Sequence, residues 1–240
     1  MARVQKIDNV DLKRFVKSSV KRKLRKIRVF FLIVCEGEKT EPNYFKNFKN
    51  KFGNVIFEID CEGKGYNTLK VVEEAIKVRN KNPNKYNRVW TVFDKDSFSE
   101  NNFNSAIQKA KSNNIGCAWS NEAFELWYLL HFQYRNTGMK RTEYQKAIEN
   151  EVNKNRRNKK EAFKYKKNAT NTYDILQKYD NQEQAINRAQ QLTLQYNNEK
   201  FATHNPRTQV YELVKQLIGQ DDELNKEIKQ IFNHLCNSDI

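Results

Sequence analysis

The sequence predicts an α/β protein: a compact parallel sheet flanked by helices, with a helical C-terminal extension. Three observations carry this. An apolar run at 29–34 ends in Cys35-Glu36-Gly37 and gives way to helical spacing near Pro42. Short strand-like runs recur at 54–60, 88–93 and 115–119, separated by helical stretches. Strands alternating with helices over about 95 residues indicate a parallel α/β unit.

Taken in order, the first strand is a continuous apolar run, the pattern of a strand covered on both faces. A helix is expected from Pro42 to about Phe52, with Tyr44, Phe45, Phe48 and Phe52 on its apolar side and Gly53 closing it. Proline suits a first helical turn because its missing N–H would find no partner there. The second strand, 54–60, leads into a loop at 62–67. Its two glycines and Lys64 do not make the GxxxxGK[ST] phosphate loop, so a flexible βα turn is expected. Leu69, Val72, Ala75 and Ile76 mark an amphipathic helix at 68–81, which Pro83 and Asn84 end. The third strand runs directly into Asp94-Lys95-Asp96. A helix at 102–113 and a short strand at 115–119 follow. Ser120-Asn121 is then expected to cap an apolar helix at 122–132. From Thr142 onward the chain reads as helical and polar, with a break at His204-Asn205-Pro206 and amphipathic helices at about 207–218 and 222–235.

This divides the chain into a basic arm at 1–28, an α/β catalytic unit at 29–135, and an extension at 136–240 packed on the same domain. At 240 residues there is enough chain for one core, or a core and a smaller appendage. No run of about 18 apolar residues offers a membrane span. The basic first 28 residues lack the apolar core of a signal peptide, so a cytoplasmic protein is expected. Cys35, Cys61, Cys117 and Cys236 are scattered without a CxxC, which argues against zinc and against a disulfide framework.

Lys and Arg number 44 against 29 acidic residues, a net charge of +15. Such an excess favours a polyanionic partner, with nucleic acid the leading one. A lysine-rich composition throughout the source proteome is the competing explanation. The clustering of charge at 13–28 and 154–167 favours a partner.

The chemistry lies at strand ends. In an open parallel sheet, ligands collect outside the carboxyl ends of the strands. Glu36 ends the first strand; Asp94 and Asp96 end the third, and point the same way if the chain stays extended across Lys95. Three carboxylates can therefore meet in one crevice. Without His or Cys they suit hard cations such as Mg²⁺ or Mn²⁺, which activate water and clamp a phosphate. Lys95 is expected to point outward. A non-catalytic nucleic-acid- or ATPase-binding module, and a transferase using the DxD pair with a metal, remain as alternatives.

Four blocks carry a resemblance: VCEGEKTEPNYF at 34–45, VFDKDSF at 92–98, SNEAFELWYLLHF at 120–132 and NPRTQV at 205–210. Glu36-Gly37 with Asp94-Lys95-Asp96 resembles the Toprim domain, the metal-dependent catalytic unit of topoisomerases, primases and OLD-type nucleases. The four blocks together resemble the RloB-like (AbiLii-type) family. Ala123 departs from the proline or other small residue expected there. The resemblance implies a Toprim-like, Mg²⁺-dependent endonuclease acting in abortive infection against phage, with a partner ATPase encoded nearby; a homo-oligomer stays open. It implies Glu36 as general base or acid, Asp94 and Asp96 as metal holders together with Glu36, and Glu125 as an additional acid.

Around these, Gly37, Glu38, Glu41 and Asn121 are supporting candidates. The charge of Glu38 and Glu41 also suits a helix start without any catalysis. Glu125, inside an otherwise apolar helix, is expected to face the cleft. Asn121 is most economically a cap. Phe124, Trp127, Tyr128 and His131 share a helical face and are expected in the core. Arg22, Lys23, Lys39, Lys95 and Arg207 are candidate nucleic-acid contacts. For Arg207 the expectation rests on a helix opening at Asn205-Pro206, whose free N–H groups would donate to a phosphate.

Overall fold

β1 (Ile27–Cys35) lies at the centre of a six-stranded sheet in a computed structural model that describes residues 26–48, 51–52, 55–65, 67–156, 162–179 and 181–237. The strand order is β2-β3-β1-β4-β5-β6. β1 pairs in parallel with β3 (Val55–Gly63) on one side and β4 (Arg88–Asp94) on the other, and β4 pairs in parallel with β5 (Gly116–Asn121). The short edge strands β2 (Lys51–Phe52) and β6 (Arg207–Thr208) run antiparallel.

Side chains of a strand alternate between faces, and β1 divides the core accordingly. Phe31, Ile33 and Cys35 join one apolar cluster, while Leu32 and Val34 join the other. The second cluster is closed by α2 (Thr68–Lys81) and α3 (Glu100–Ser112) through Val71, Val72, Ala75, Phe103, Ala106 and Ala110. Both helices open on side-chain caps: Asn67 Oδ1 accepts from Lys70 N–H at 3.1 Å, and Ser99 Oγ from Asn102 N–H at 3.3 Å. The first cluster is covered by α1 (Thr40–Phe45), α4 (Glu125–Leu130), α5 (Arg141–Asn155), α6 (Thr172–Gln177), α7 (Gln182–Thr193), α8 (Val210–Leu217) and α9 (Asp222–Asn237). The α/β class expected from the sequence is the class observed. The C-terminal part packs on the same sheet and supplies its last strand, β6.

Three elements differ from expectation, each for a tertiary reason. The helix expected over 42–52 is only α1. Tyr44, Phe45 and Phe48 turn inward onto Phe124, Tyr128 and Tyr173 in an aromatic hub, and Phe52 instead pairs with Val55 in the sheet. Gly53 lies outside the described residues. The helix expected over 122–132 shrinks to α4 because β6 holds Ser120 and Asn121 in β5, facing Thr208 and Arg207. Ser120 Oγ and Thr208 Oγ1 meet at 2.9 Å, so these residues are sheet residues and not caps. For the same reason the chain after Pro206 is strand before it is helix. Asn205 therefore caps no helix, and Pro206 opens none.

The described cysteines are free thiols; Cys35 and Cys61 face each other with Sγ atoms 3.7 Å apart. No helix among the described residues is long and apolar enough to cross a membrane. His131 is fully buried, as expected of a core residue: its Nδ1 lies 3.0 Å from the Trp127 carbonyl, and burial lowers its pKa to about 4.

Candidate acidic active site

The carboxyl ends of β1 and β4 open into a cleft of about 680 Å³ lined by six carboxylates: Glu36, Glu38, Glu41, Asp94, Asp96 and Glu125. Glu36 continues the line of β1, its N–H donating to the Val92 carbonyl at 2.8 Å. Its side chain folds back across the neighbouring strand end, where Oε2 accepts the Asp94 N–H at 3.1 Å. Burial drives its pKa up to about 7; the charges of Glu41 and Asp96 add to the rise, against the Asp94 amide and Arg141.

Glu41 stands in the first turn of α1 and also lines the cleft. It is 6% exposed and points into the cleft, and its Oε2 finds no hydrogen-bond partner among the described residues. Burial, reinforced by the Glu125 charge, lifts its pKa to about 7, while its own backbone amide, and after it Lys167 and Arg141, pull the other way. Gly37 makes this placement possible: a Cβ there would stand 2.1 Å from Glu41 Oε2. Glu38 is exposed at the rim, close to Gly65, which has a φ of +63°.

Asp94 ends β4, buried, with Oδ1 unpartnered among the described residues and Oδ2 accepting from Arg141 Nη2 at 3.1 Å. Burial first, then Glu41, Glu125 and Glu36, hold its pKa well above the ordinary value; Arg141 opposes them. The chain does not stay extended past it. Asp96 sits at φ +37° in a turn, exposed, and still reaches Arg141 Nη1 at 3.2 Å. Glu125 opens α4 and is almost wholly buried, its Oε1 accepting from Tyr165 Oη at 3.1 Å and from Gln145 Nε2 at 3.5 Å. It faces the cleft, as expected.

Sequence reasoning missed Arg141. Burial works against its charge, but Asp94, Asp96, Glu125 and Glu36 outweigh that and raise its pKa. A signal was present. On α5, Tyr144, Ile148 and Val152 are buried, and a polar row follows the same spacing of four: Arg141, Gln145, Glu149 and Asn153. Each of these contacts either the cleft or the chain that borders it. That bordering segment, 162–168, also contributes Lys167 and Asn168 to the lining.

The other candidates divide. Gly37 and Lys39 line the cleft. Asn121 does not: it is buried at the end of β5, donating to the Ala202 carbonyl at 2.9 Å. Lys95 is half-buried and its ammonium donates to the Phe98 carbonyl, which takes it out of contact with a ligand in the cleft. Arg207 is 7% exposed on β6, its guanidinium 5.1 Å from the Trp119 ring and 2.8 Å from His204 Nδ1. The phosphate role expected of it fails because no helix opens there and the side chain is enclosed. Arg22 and Lys23 lie outside the described residues.

A family model for RloB-like proteins matches residues 31–217, which contain the whole cleft. The chain belongs to the RloB-like family. No curated protein and no solved structure matches it.

For this RloB-like protein the donor set suits a hard divalent cation. It is all oxygen, and two of its buried oxygens, Glu41 Oε2 and Asp94 Oδ1, have no partner among the described residues. The geometry is not that of a closed metal cage: among the described residues no group of three or more His, Cys, Asp or Glu is disposed to hold an ion. Arg141 bridges Asp94 and Asp96 instead.

Proposed function

We propose that the cleft hydrolyses phosphodiester bonds in RNA or DNA with the help of Mg²⁺ or Mn²⁺, as the Toprim-like effector of a phage-defence system working with a partner ATPase. The observation that carries this is the convergence of Glu36, Glu41, Asp94, Asp96 and Glu125, from four separate places in the chain, at the carboxyl edge of a parallel sheet. So many carboxylates at one edge cost stability through burial and mutual repulsion, a pattern that points to a functional site. In a chain of net charge +15 the cleft is an acidic spot on a basic molecule, as a cation-dependent enzyme for a polyanion requires.

Asp94 and Asp96, with Glu36, would hold the ion, and Glu41 lies close enough to their charges to share in it. Bound there, the ion would supply an activated water and charge stabilisation at the phosphate. Glu36, with a pKa near 7, can take or give a proton at neutral pH. Lys39 and Lys167 at the rim place positive charge where a phosphate would enter.

Purified protein with Mg²⁺ or Mn²⁺, alone and with its partner, should cleave at least one of tRNA, unstructured RNA, single-stranded DNA and duplex DNA, and Glu36→Gln should abolish that cleavage. If every substrate stays intact, the proposal is lost. One observation favours a second reading: Arg141 already neutralises Asp94 and Asp96, as in a non-catalytic binding subunit. That reading predicts nucleic-acid binding indifferent to EDTA and to Asp94→Asn, with no cleavage.

A further inference from the structure

Behind the segment that borders the acidic cleft lies a second groove, of about 980 Å³. Its described lining holds four cations, Arg156, Lys164, Lys166 and Lys178, and no carboxylate. Among the described residues none of the four is in an ion pair. The segment is extended, so its side chains alternate: Phe163 and Tyr165 turn toward the body, and Lys164 and Lys166 stay exposed.

The groove wall is built, not incidental. Asn153 Oδ1 accepts from Phe163 N–H at 2.7 Å while its Nδ2 donates to the Phe163 carbonyl at 2.9 Å, and Glu149 Oε1 accepts from Tyr165 N–H at 2.7 Å. The same row on α5 holds the cleft through Arg141 and Gln145. Residues 162–166 line the groove, and Lys167 and Asn168 line the cleft, so one stretch of chain borders both. Tyr165 spans them: it lines the groove and its hydroxyl hydrogen-bonds Glu125.

We propose that this groove holds a single-stranded stretch of nucleic acid, its phosphates on Lys164, Lys166, Lys178 and Arg156, leading the strand to the carboxylate cleft. Phe163 and Tyr179 are half-buried, packed on the core on one side and lining the groove on the other, and the part that lines the groove gives unpaired bases an aromatic surface to stack on, which a duplex cannot use. Cations drawn from the 162–166 segment and from the ends of α5 and α6 around one concave groove suit a flexible strand better than a rigid double helix. The inference rests on the proposed function for where the strand goes, and stands apart from it for where the strand binds.

The test is binding of fluorescent oligo-dT and oligo-U, and of a duplex of equal length, to the full chain in EDTA over a range of salt. Lys164→Gln/Lys166→Gln should weaken single-strand binding on the order of tenfold and reduce the salt slope by about 1.4, or 0.7 per lost phosphate contact. Lys178→Gln, on a different element, should weaken it in the same direction. Lys70→Gln/Lys81→Gln, an equal charge change on the exposed side of α2, should leave it unchanged. The inference is overturned if the groove variants bind like the α2 control, or if the duplex binds as tightly as the single strands. Loss of cleavage in Glu36→Gln with binding intact reports on the cleft alone. Groove binding without any cleavage overturns the nuclease reading and leaves this one standing.

Discussion

Arg141 Nη2 donates to Asp94 Oδ2 across 3.1 Å, linking residues 47 positions apart, and the same guanidinium reaches Asp96 at 3.2 Å. An internal cation thus occupies the mouth of the acidic cleft. It compensates a buried carboxylate whose other oxygen has no hydrogen-bond partner among the described residues.

Arg141→Ala leaves Asp94 buried beside Glu36, Glu41 and Glu125 without its cation. In metal-free buffer this should cost on the order of 2 kcal/mol, reduced from the fully buried case because the guanidinium is partly solvated. Mn²⁺ should then raise the melting temperature of Arg141→Ala more than that of the native protein. An equal and negligible Mn²⁺ shift in both proteins would sink the metal assignment.

Gly37→Ala forces a methyl group into the space of the Glu41 carboxylate, 2.1 Å away. Overpacking of this kind costs about 1–3 kcal/mol. The carboxylate should be pushed from the cleft, with cleavage reduced at least tenfold, on the scale of a misplaced catalytic group. Wild-type activity and melting temperature in Gly37→Ala would show that Glu41 does not need its observed place.

Tyr165→Phe removes the hydrogen bond to Glu125 and should lower stability by about 1 kcal/mol. A double-mutant cycle with Glu125→Gln isolates the pair, and a coupling indistinguishable from zero would mean that the contact is not made in solution.

Glu36 and Glu41 both have folded-state pKa values near 7, raised from 4.5 chiefly by burial. The folded protein therefore binds more protons than the unfolded chain between these values. Their contribution is fully present below about pH 4.5 and is lost as pH rises through 7. Denaturation midpoints should fall over that window, Glu41→Gln should flatten the fall, and Mn²⁺ should oppose it by favouring the ionised forms. A midpoint that falls as steeply from pH 5 to pH 8 in Glu41→Gln as in the native chain would contradict the assignment.

Glu36, Asp94, Asp96 and Glu125 were all legible, because each follows or opens a short segment whose apolar pattern is local. Glu41 is legible as a candidate, but its helix-start position leaves its role open, and the room that Gly37 makes for its carboxylate has no sign in the sequence. Asn121 and Arg207 depart from expectation for one shared reason: each is placed by sequence at a helix opening, and the two pair with each other in neighbouring strands, β5 and β6. Pairing between positions 121 and 207 has no local signature.

The sequence by itself determined the alternation of strands and helices, the placing of carboxylates at the ends of β1 and β4, and the basic character of the molecule. These depend on residue periodicity and composition, which are properties of neighbours in the chain. Only the tertiary structure decided that Arg141 closes the acids, that Tyr165 ties a basic segment to Glu125, and that Thr208 turns Ser120 into a sheet residue. Those outcomes rest on side chains 40 or more positions apart, brought together by the packing of α5 on the cleft and by the pairing of β5 with β6, which no short stretch of sequence reveals.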